Sequence, residues 1–356
     1  MIPSVLTSSP MSSEVGGATS GTEELLRRPS DADYRAYVCV AVMVVVGSTT
    51  AAAAKFVVRE LPVAWLPLVR FGVPGLCLLP LVRDLGVLGR ILRKDGLLIL
   101  IAAALCVPVN QGFFLNAIRL GPTAHAGLFY ATGPVVVLLL AWVLRLERPD
   151  FGRLWGILAS VLGVVVIGVG SWLAGGLPAE TRSVVLADGL LIGAVLSWAG
   201  YVIVSKPLIM RHGSLPVLTI TFLAGCLLDL PIALFTSPYV PSFDQVSQSA
   251  WLALGFLTLF ITPVFLACQN LALQRLDASQ VANFSNVSQI LTVGWGACLF
   301  GEAITASLVV GGMLTLAGVL WTSRSHSRAP ERRHDGGVPD ARKNRITTSS
   351  ALFLRR

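Results

Sequence analysis

The chain has 356 residues, 54% of them hydrophobic and only 13% charged, with a formal net charge of +8. A soluble domain carries about 25% charged residues, and a mean hydropathy of +0.75 with long apolar runs excludes that class. Runs this continuous also exclude a membrane β-barrel, whose strands alternate apolar and polar positions.

Residues 1–35 are rich in Ser, Thr, Gly and Glu and hold no apolar run. They read as a disordered cytoplasmic tail. A signal peptide would need a basic start followed directly by an apolar stretch. About ten apolar segments follow, at 36–54, 62–82, 97–118, 122–144, 153–173, 185–205, 215–236, 250–270, 279–300 and 305–322. A helix needs roughly 20 residues to cross a bilayer. The fold class is therefore an all-α membrane protein of about ten transmembrane helices. Pro74, Pro108, Pro134, Pro231 and Pro263 lie inside these spans. Neighbouring helices and water satisfy the carbonyls they free, and such kinks often line a cavity. Arg83–Gly96 reads as a short amphipathic segment at the inner surface, with Leu85, Leu88, Ile91 and Leu92 facing lipid. Residues 323–356 form a basic cytoplasmic tail suited to anionic lipid. Nothing beyond that charge points to nucleic acid.

Orientation follows from Lys and Arg. The segments on the N-terminal side carry 13 of them before the tail is reached, and the opposite loops carry 4. Both termini are thus expected in the cytoplasm of a bacterial-type inner membrane.

The two halves repeat. Glu147 matches Glu302, Gly156 matches Gly311 and Gly163 matches Gly318, all at an offset of 155, and Arg119-Leu120 matches Arg275-Leu276. Residues 36–173 and 185–322 form the two units. Five spans per unit, an odd number, make the repeat inverted, the arrangement suited to alternating access around a site between the repeats.

Metal and cofactor chemistry has no sequence support. Cys39, Cys77, Cys106, Cys226, Cys268 and Cys298 all fall inside spans, without a CxxC pair or His at ligand spacing. P-loop, HExxH and GxSxG motifs are missing.

Polar side chains inside spans are costly and usually face the bundle interior. Arg70 lies about 13 Å of helix from the outer end of its span. It reads either as the partner of an anion, from substrate or gate, or as a cap on kinked-helix carbonyls. Asn110 and Gln111 follow Pro108, and Asn283, Asn286 and Gln289 share one face of the ninth span. These amides suit either a polar solute or interhelical hydrogen bonds. Trp198 and Tyr201 share a face at i, i+3, for stacking on a solute or for packing. His125 reads as a proton-sensitive gate or a structural residue. Asp229 reads as a proton carrier or as a carboxylate snorkelling outward. Glu147 and Glu302 sit at span ends and read as interfacial.

Over residues 36–322 the chain resembles the EamA-type permeases of the drug/metabolite transporter superfamily. The resemblance rests on Lys55, Arg70, Asn116-Ala117-Ile118-Arg119-Leu120-Gly121-Pro122-Thr123-Ala124, Pro134, Glu147 with Gly156 and Gly163, and Gly301-Glu302 with Gly311 and Gly318. One departure is Gln289, which stands where the first repeat has Pro134. The resemblance implies a non-enzymatic secondary transporter that exports a small organic metabolite, with proton coupling. Expected partners are that small-molecule substrate and the lipid bilayer, with a homodimer left open. The alternative class is an integral-membrane enzyme or a lipid flippase acting on lipid-linked substrates. The enzyme needs a clustered acid/base or metal constellation, which the sparse His, Asp and Glu residues do not supply.

Overall fold

A computed structural model describes residues 31–82, 84–146, 151–173, 178–237, 243–265, 268 and 278–326. Every regular element among them is helical. The order begins with α1 (Asp31–Ser48), α2 (Thr50–Val58) and α3 (Leu66–Leu78). Then come α4 (Gly86–Ala104), a π-helical turn (Leu105–Val109), α5 (Asn110–Leu120), α6 (Thr123–Ala131) and α7 (Gly133–Val143). Next are α8 (Phe151–Leu173), α9 (Pro178–His212) and α10 (Ser214–Thr236). The last are α11 (Gln248–Gly255), a second π-helical turn (Phe256–Ile261), α12 (Ala278–Phe300) and α13 (Ala306–His326).

Over the described residues, the predicted spans fall on these helices, the eighth as far as residue 265. Five continuous helical stretches among the described residues are long and apolar enough to cross a membrane, and the pair α6–α7, bent by 45°, makes a sixth. Four shorter apolar helices accompany them: Leu66–Leu81, Leu154–Gly170, Val287–Phe300 and Ala306–Thr322. Apolar side chains such as Trp155, Trp172, Phe235 and Met313 point outward, at 59% exposure or more, as a lipid-facing surface requires.

Two boundaries differ from the expectation. The first span runs on to Val58, so Lys55 lies in the last turn of α2 and not in an external loop. Four consecutive alanines before it carry no side chain bulky enough to end the helix. The amphipathic segment after Asp84 is helical but does not float free. Its Ile91 is fully buried against Leu208 and Val217, while Leu85 and Leu92 stay exposed. The helix breaks at Asp95 (φ −127°, ψ 26°), whose carboxylate takes hydrogen bonds from Arg211 at 3.0 Å and His212 at 2.7 Å. That break lets the helix turn from the surface into the bundle.

The repeat has a physical seam. α8 and α13 pack antiparallel and in close contact, because glycines let the two backbones meet. A methyl group at Gly163 or at Gly311 would lie within 2.6 Å of the other's carbonyl oxygen, and Gly156 faces Gly318 in the same way. The hydroxyl of Ser160 points to the carbonyl of Thr315 (3.5 Å), and that of Thr315 to the carbonyl of Ser160 (3.4 Å). Ser160 and Thr315 are themselves repeat mates, at the same offset of 155. Reciprocal contacts of this kind are what a two-fold axis across the helix pair generates.

Candidate functional site

The deepest polar cluster assembles three of the predicted residues. Pro74 lies inside α3, and Pro108 inside the π-helical turn before α5. A proline donates no backbone hydrogen bond, and π-turns recur at functional sites. Arg70, on α3, is 9% exposed, Asn110 1% and Gln111 4%. Arg70 donates from Nη1 to Gln111 Oε1 at 3.0 Å, and Gln111 donates from Nε2 to Asn110 Oδ1 at 2.8 Å. Asn110 in turn donates to the carbonyl of Ala194 at 2.7 Å, with the hydroxyls of Tyr130 (3.1 Å) and Ser197 (3.3 Å) also in reach. Helices α3, α5, α6 and α9 thus meet around one chain of amides. Arg70 Nε is buried and has no partner, and no ion pair to this guanidinium exists among the described residues. The ring of Phe71 lies 5.4 Å from its central carbon.

A cleft of about 590 Å³ enters the bundle at these helices, and Arg70, Asn110 and Gln111 are not themselves among its lining residues. Pro67, Pro108 and Gly112 line it, and they flank Arg70 and Asn110–Gln111 in sequence. Asp229 also lines the cleft; it is 4% exposed and its Oδ2 has no partner. It therefore does not snorkel to the surface. Arg59, Glu60 and Arg119 add charge at the mouth. Glu60 accepts hydrogen bonds from the hydroxyl and the backbone N–H of Ser247, each 2.6 Å long. These bonds, the hydroxyl's first, hold the Glu60 carboxyl below the usual carboxylate range.

Two more buried polar contacts lie at the same end. His125 Nδ1 sits 2.7 Å from Asp188 Oδ1, so this histidine has a carboxylate partner, and Asp188 Oδ2 is left without one. Two residues earlier, Glu302 caps the first turn of α6. It accepts from the backbone N–H of Thr123 (2.7 Å) and of Ala124 (3.0 Å), and from the Thr123 hydroxyl. A helix N-terminus favours negative charge. Lys55 stands 3.9 Å from the same carboxylate and donates to the carbonyl of Gly121. Glu302 is therefore a helix cap reaching across the repeat, not an interfacial residue.

The remaining candidates stand apart from the amide chain. Trp198 and Tyr201 do meet, with ring centroids 5.2 Å apart, but Tyr201 packs into an apolar cluster with Phe71 and Cys106. Gln289 is half-buried, and its backbone carbonyl faces Gly127 of α6. Asn283 and Asn286 lie on α12, with side chains outside the described residues, as are Glu147 and the Gln269–Asn270 pair. On α12 it is Thr292 and Trp295 that make polar contacts, to the carbonyl (3.1 Å) and hydroxyl (2.9 Å) of Ser48 at the break between α1 and α2.

Sequence reasoning missed Tyr130, Asp188 and Ser197. A tyrosine and a serine in an apolar span read as packing, and Asp188 lies close to a predicted span end, where a carboxylate is cheap. The one available signal was the charge of Asp188 within the span.

The model of the EamA-like transporter family matches residues 35–169 and again 185–324. A WAT1-related protein of Arabidopsis thaliana is 24% identical over 242 residues, 62% of this chain. That match spans 63% of the relative, less than two thirds of its length. An uncharacterized transporter of Bacillus subtilis, YetK, is 23% identical over 290 residues, 81% of this chain and 86% of its own. A solved crystal structure shares the fold with a TM-score of 0.57 at 20% identity, covering 82% of this chain and 98% of the other. The double family match and the helices together make this a multi-pass membrane transporter rather than an enzyme.

Proposed function

This chain belongs to the EamA-like transporter family, and we propose that it exports a small organic metabolite by alternating access, with both termini in the cytoplasm. One observation carries the reading: a cleft of drug-sized volume is lined by Pro67, Pro108 and Gly112, on the same helices α3 and α5 and the π-turn before α5 that carry the buried Arg70–Gln111–Asn110 chain. A cleft open at one end, with polar groups seated part-way through an apolar bundle, is the half-cycle expected of such a carrier. The seam of α8 and α13 supports the other half, because helices related by a two-fold axis can exchange roles.

For coupling, the His125–Asp188 pair is the proposed proton carrier. Imidazole is the side chain whose charge changes near neutral pH, and this one, in the first turn of α6, has a buried carboxylate partner on α9. The deciding experiment compares metabolites accumulated outside cells with and without the protein. At least one compound should rise outside in its presence, and collapsing the proton gradient should abolish the rise. A compound that instead rises inside would overturn export. Reporter fusions at Arg328 and in the 237–248 loop test the topology, with an external signal at Arg328 as the outcome that sinks it.

A further inference from the structure

We infer that the site takes an amphipathic organic monoanion, whose anionic group binds Arg70. This rests on the transporter reading above and deepens it. The starting point is electrostatic. A guanidinium offers five N–H donors and stays charged. Burying it without a counter-charge costs several kcal/mol, so buried cations are normally paired with carboxylates. Arg70 is nine-tenths buried, yet its one hydrogen-bonded side-chain partner is the neutral Gln111, and Nε has none.

The surroundings hold the guanidinium in this position. Gln111 cannot swing its carbonyl away without giving up Asn110, and Asn110 is tied to Ala194 and within reach of Tyr130 and Ser197. The carboxylate lining the cleft, Asp229, makes no ion pair with Arg70, although α3 and α10 pack together through Gly75 against Leu223 and Phe222. The guanidinium is thus held in place by neutral groups with its charge unmatched among the described residues, which suits it to bind an anion.

The cleft sets the rest of the class. Val58, Leu61, Val63, Pro67, Pro108 and Ile232 give it apolar walls for an organic body. Arg59 and Arg119 at the mouth attract an anion, and Asp229 and Glu60 limit how much negative charge the space accepts. One negative charge on an apolar body of moderate size fits all three features. A polyphosphate does not, since it would place further charge against Asp229.

Two measurements test this. In the metabolite comparison, the compounds whose distribution depends on the protein are sorted by charge. Carboxylates or sulfonates with an apolar body are expected. If only cations or neutral compounds respond, the anion assignment falls while the transporter reading stands; if no compound responds, the transporter reading falls. The same comparison is run on Arg70→Gln and Arg70→Lys, normalised to folded protein by fluorescence-detected gel filtration. Arg70→Gln should lower the response per folded molecule by on the order of thirtyfold or more, as loss of a buried charge partner does. Arg70→Lys should keep part of it, having the charge without the two-pronged geometry. An Arg70→Gln protein that matches wild type per molecule overturns the proposal. In parallel, purified protein is heated with benzoate, phenylacetate and hexanoate, and with their amides. Saturable stabilisation by an acid over its amide, lost in Arg70→Gln, is expected. Stabilisation that acid and amide share equally overturns it.

Discussion

Matching positions of the third and eighth spans are put to different uses. Both contain a π-helical turn, Leu105–Val109 in one and Phe256–Ile261 in the other. Pro108 and Pro263 stand at the offset of 155 that relates the repeats. Two residues past the proline, the first repeat places Asn110, at the centre of the buried amide chain. The second places Phe265, which packs on Val40, Met43 and Val44 and against Gly47. The proline is kept at the matching position, but the π-turn is shifted: it contains Pro108 in the third span and ends two residues before Pro263 in the eighth. The side chains that follow the proline, not the irregular turn, set the two spans apart.

The comparison predicts symmetric damage from framework changes and asymmetric damage from chemical ones. The largest effect is expected at the glycine seam. Gly163→Leu and its repeat mate Gly318→Leu should each nearly abolish folded, membrane-inserted protein, because a side chain there meets backbone, which cannot step aside. Gly168→Leu, with nothing within 4 Å of its Cβ, should leave the amount near wild type. Gel filtration of fluorescent fusions reads all three, and unequal losses at 163 and 318 would break the symmetry. Next comes the position after the prolines. Asn110→Leu should cut transport per folded molecule by about tenfold or more, since each stranded buried partner costs ~1–3 kcal/mol. Phe265→Leu should leave transport within a factor of two or so and lower stability by about 1 kcal/mol, as removal of part of a buried ring does. A third, smaller change is Glu302→Gln. The amide oxygen can still cap α6, but the attraction to Lys55 goes, and the unfolding midpoint should fall by a few degrees with transport largely retained.

The smallest effect is a pH dependence at the cleft mouth. Glu60 has a lowered folded-state value, so its bonds to Ser247 contribute fully above the ordinary glutamate range. That contribution disappears as pH falls through the lowered value. Ser247 also caps α11 by accepting from the Ala250 N–H at 3.2 Å. The protection of the Ser247 amide, the slowing of its exchange relative to an unstructured amide at the same pH, should therefore fall on acidification in wild type. Glu60→Gln should show the lower protection at every pH, and a wild-type protection without pH dependence in that range would contradict the assignment.

Much of this architecture was legible in the sequence, because span length, repeat offset and glycine spacing are properties of the chain itself. Arg70, Asn110 and Gln111 could also be singled out, since lipid makes any polar residue in a span conspicuous. Their connection could not, because it depends on how α3 turns against α5. Glu302 and Thr123 are 179 positions apart, and no local pattern announces that one caps the other. The tyrosine hydroxyl of Tyr130 and the carboxylate of Asp188 gain meaning only from what they face. Lys55 was misplaced for a simpler reason: charge suggested a loop, but an alanine run followed by a lysine with a carbonyl partner continues as helix.

The seam between α8 and α13 has a consequence for how the chain tolerates change. Since Gly156, Ser160 and Gly163 meet the mates of those same positions, Gly318, Thr315 and Gly311, the stripe is complementary to itself. A side chain that grows on one helix meets the matching stripe of the other, so each substitution at the seam strikes a position that is its own repeat mate's neighbour. The two helices can therefore vary freely on their outward faces while this one line between them is held to small residues.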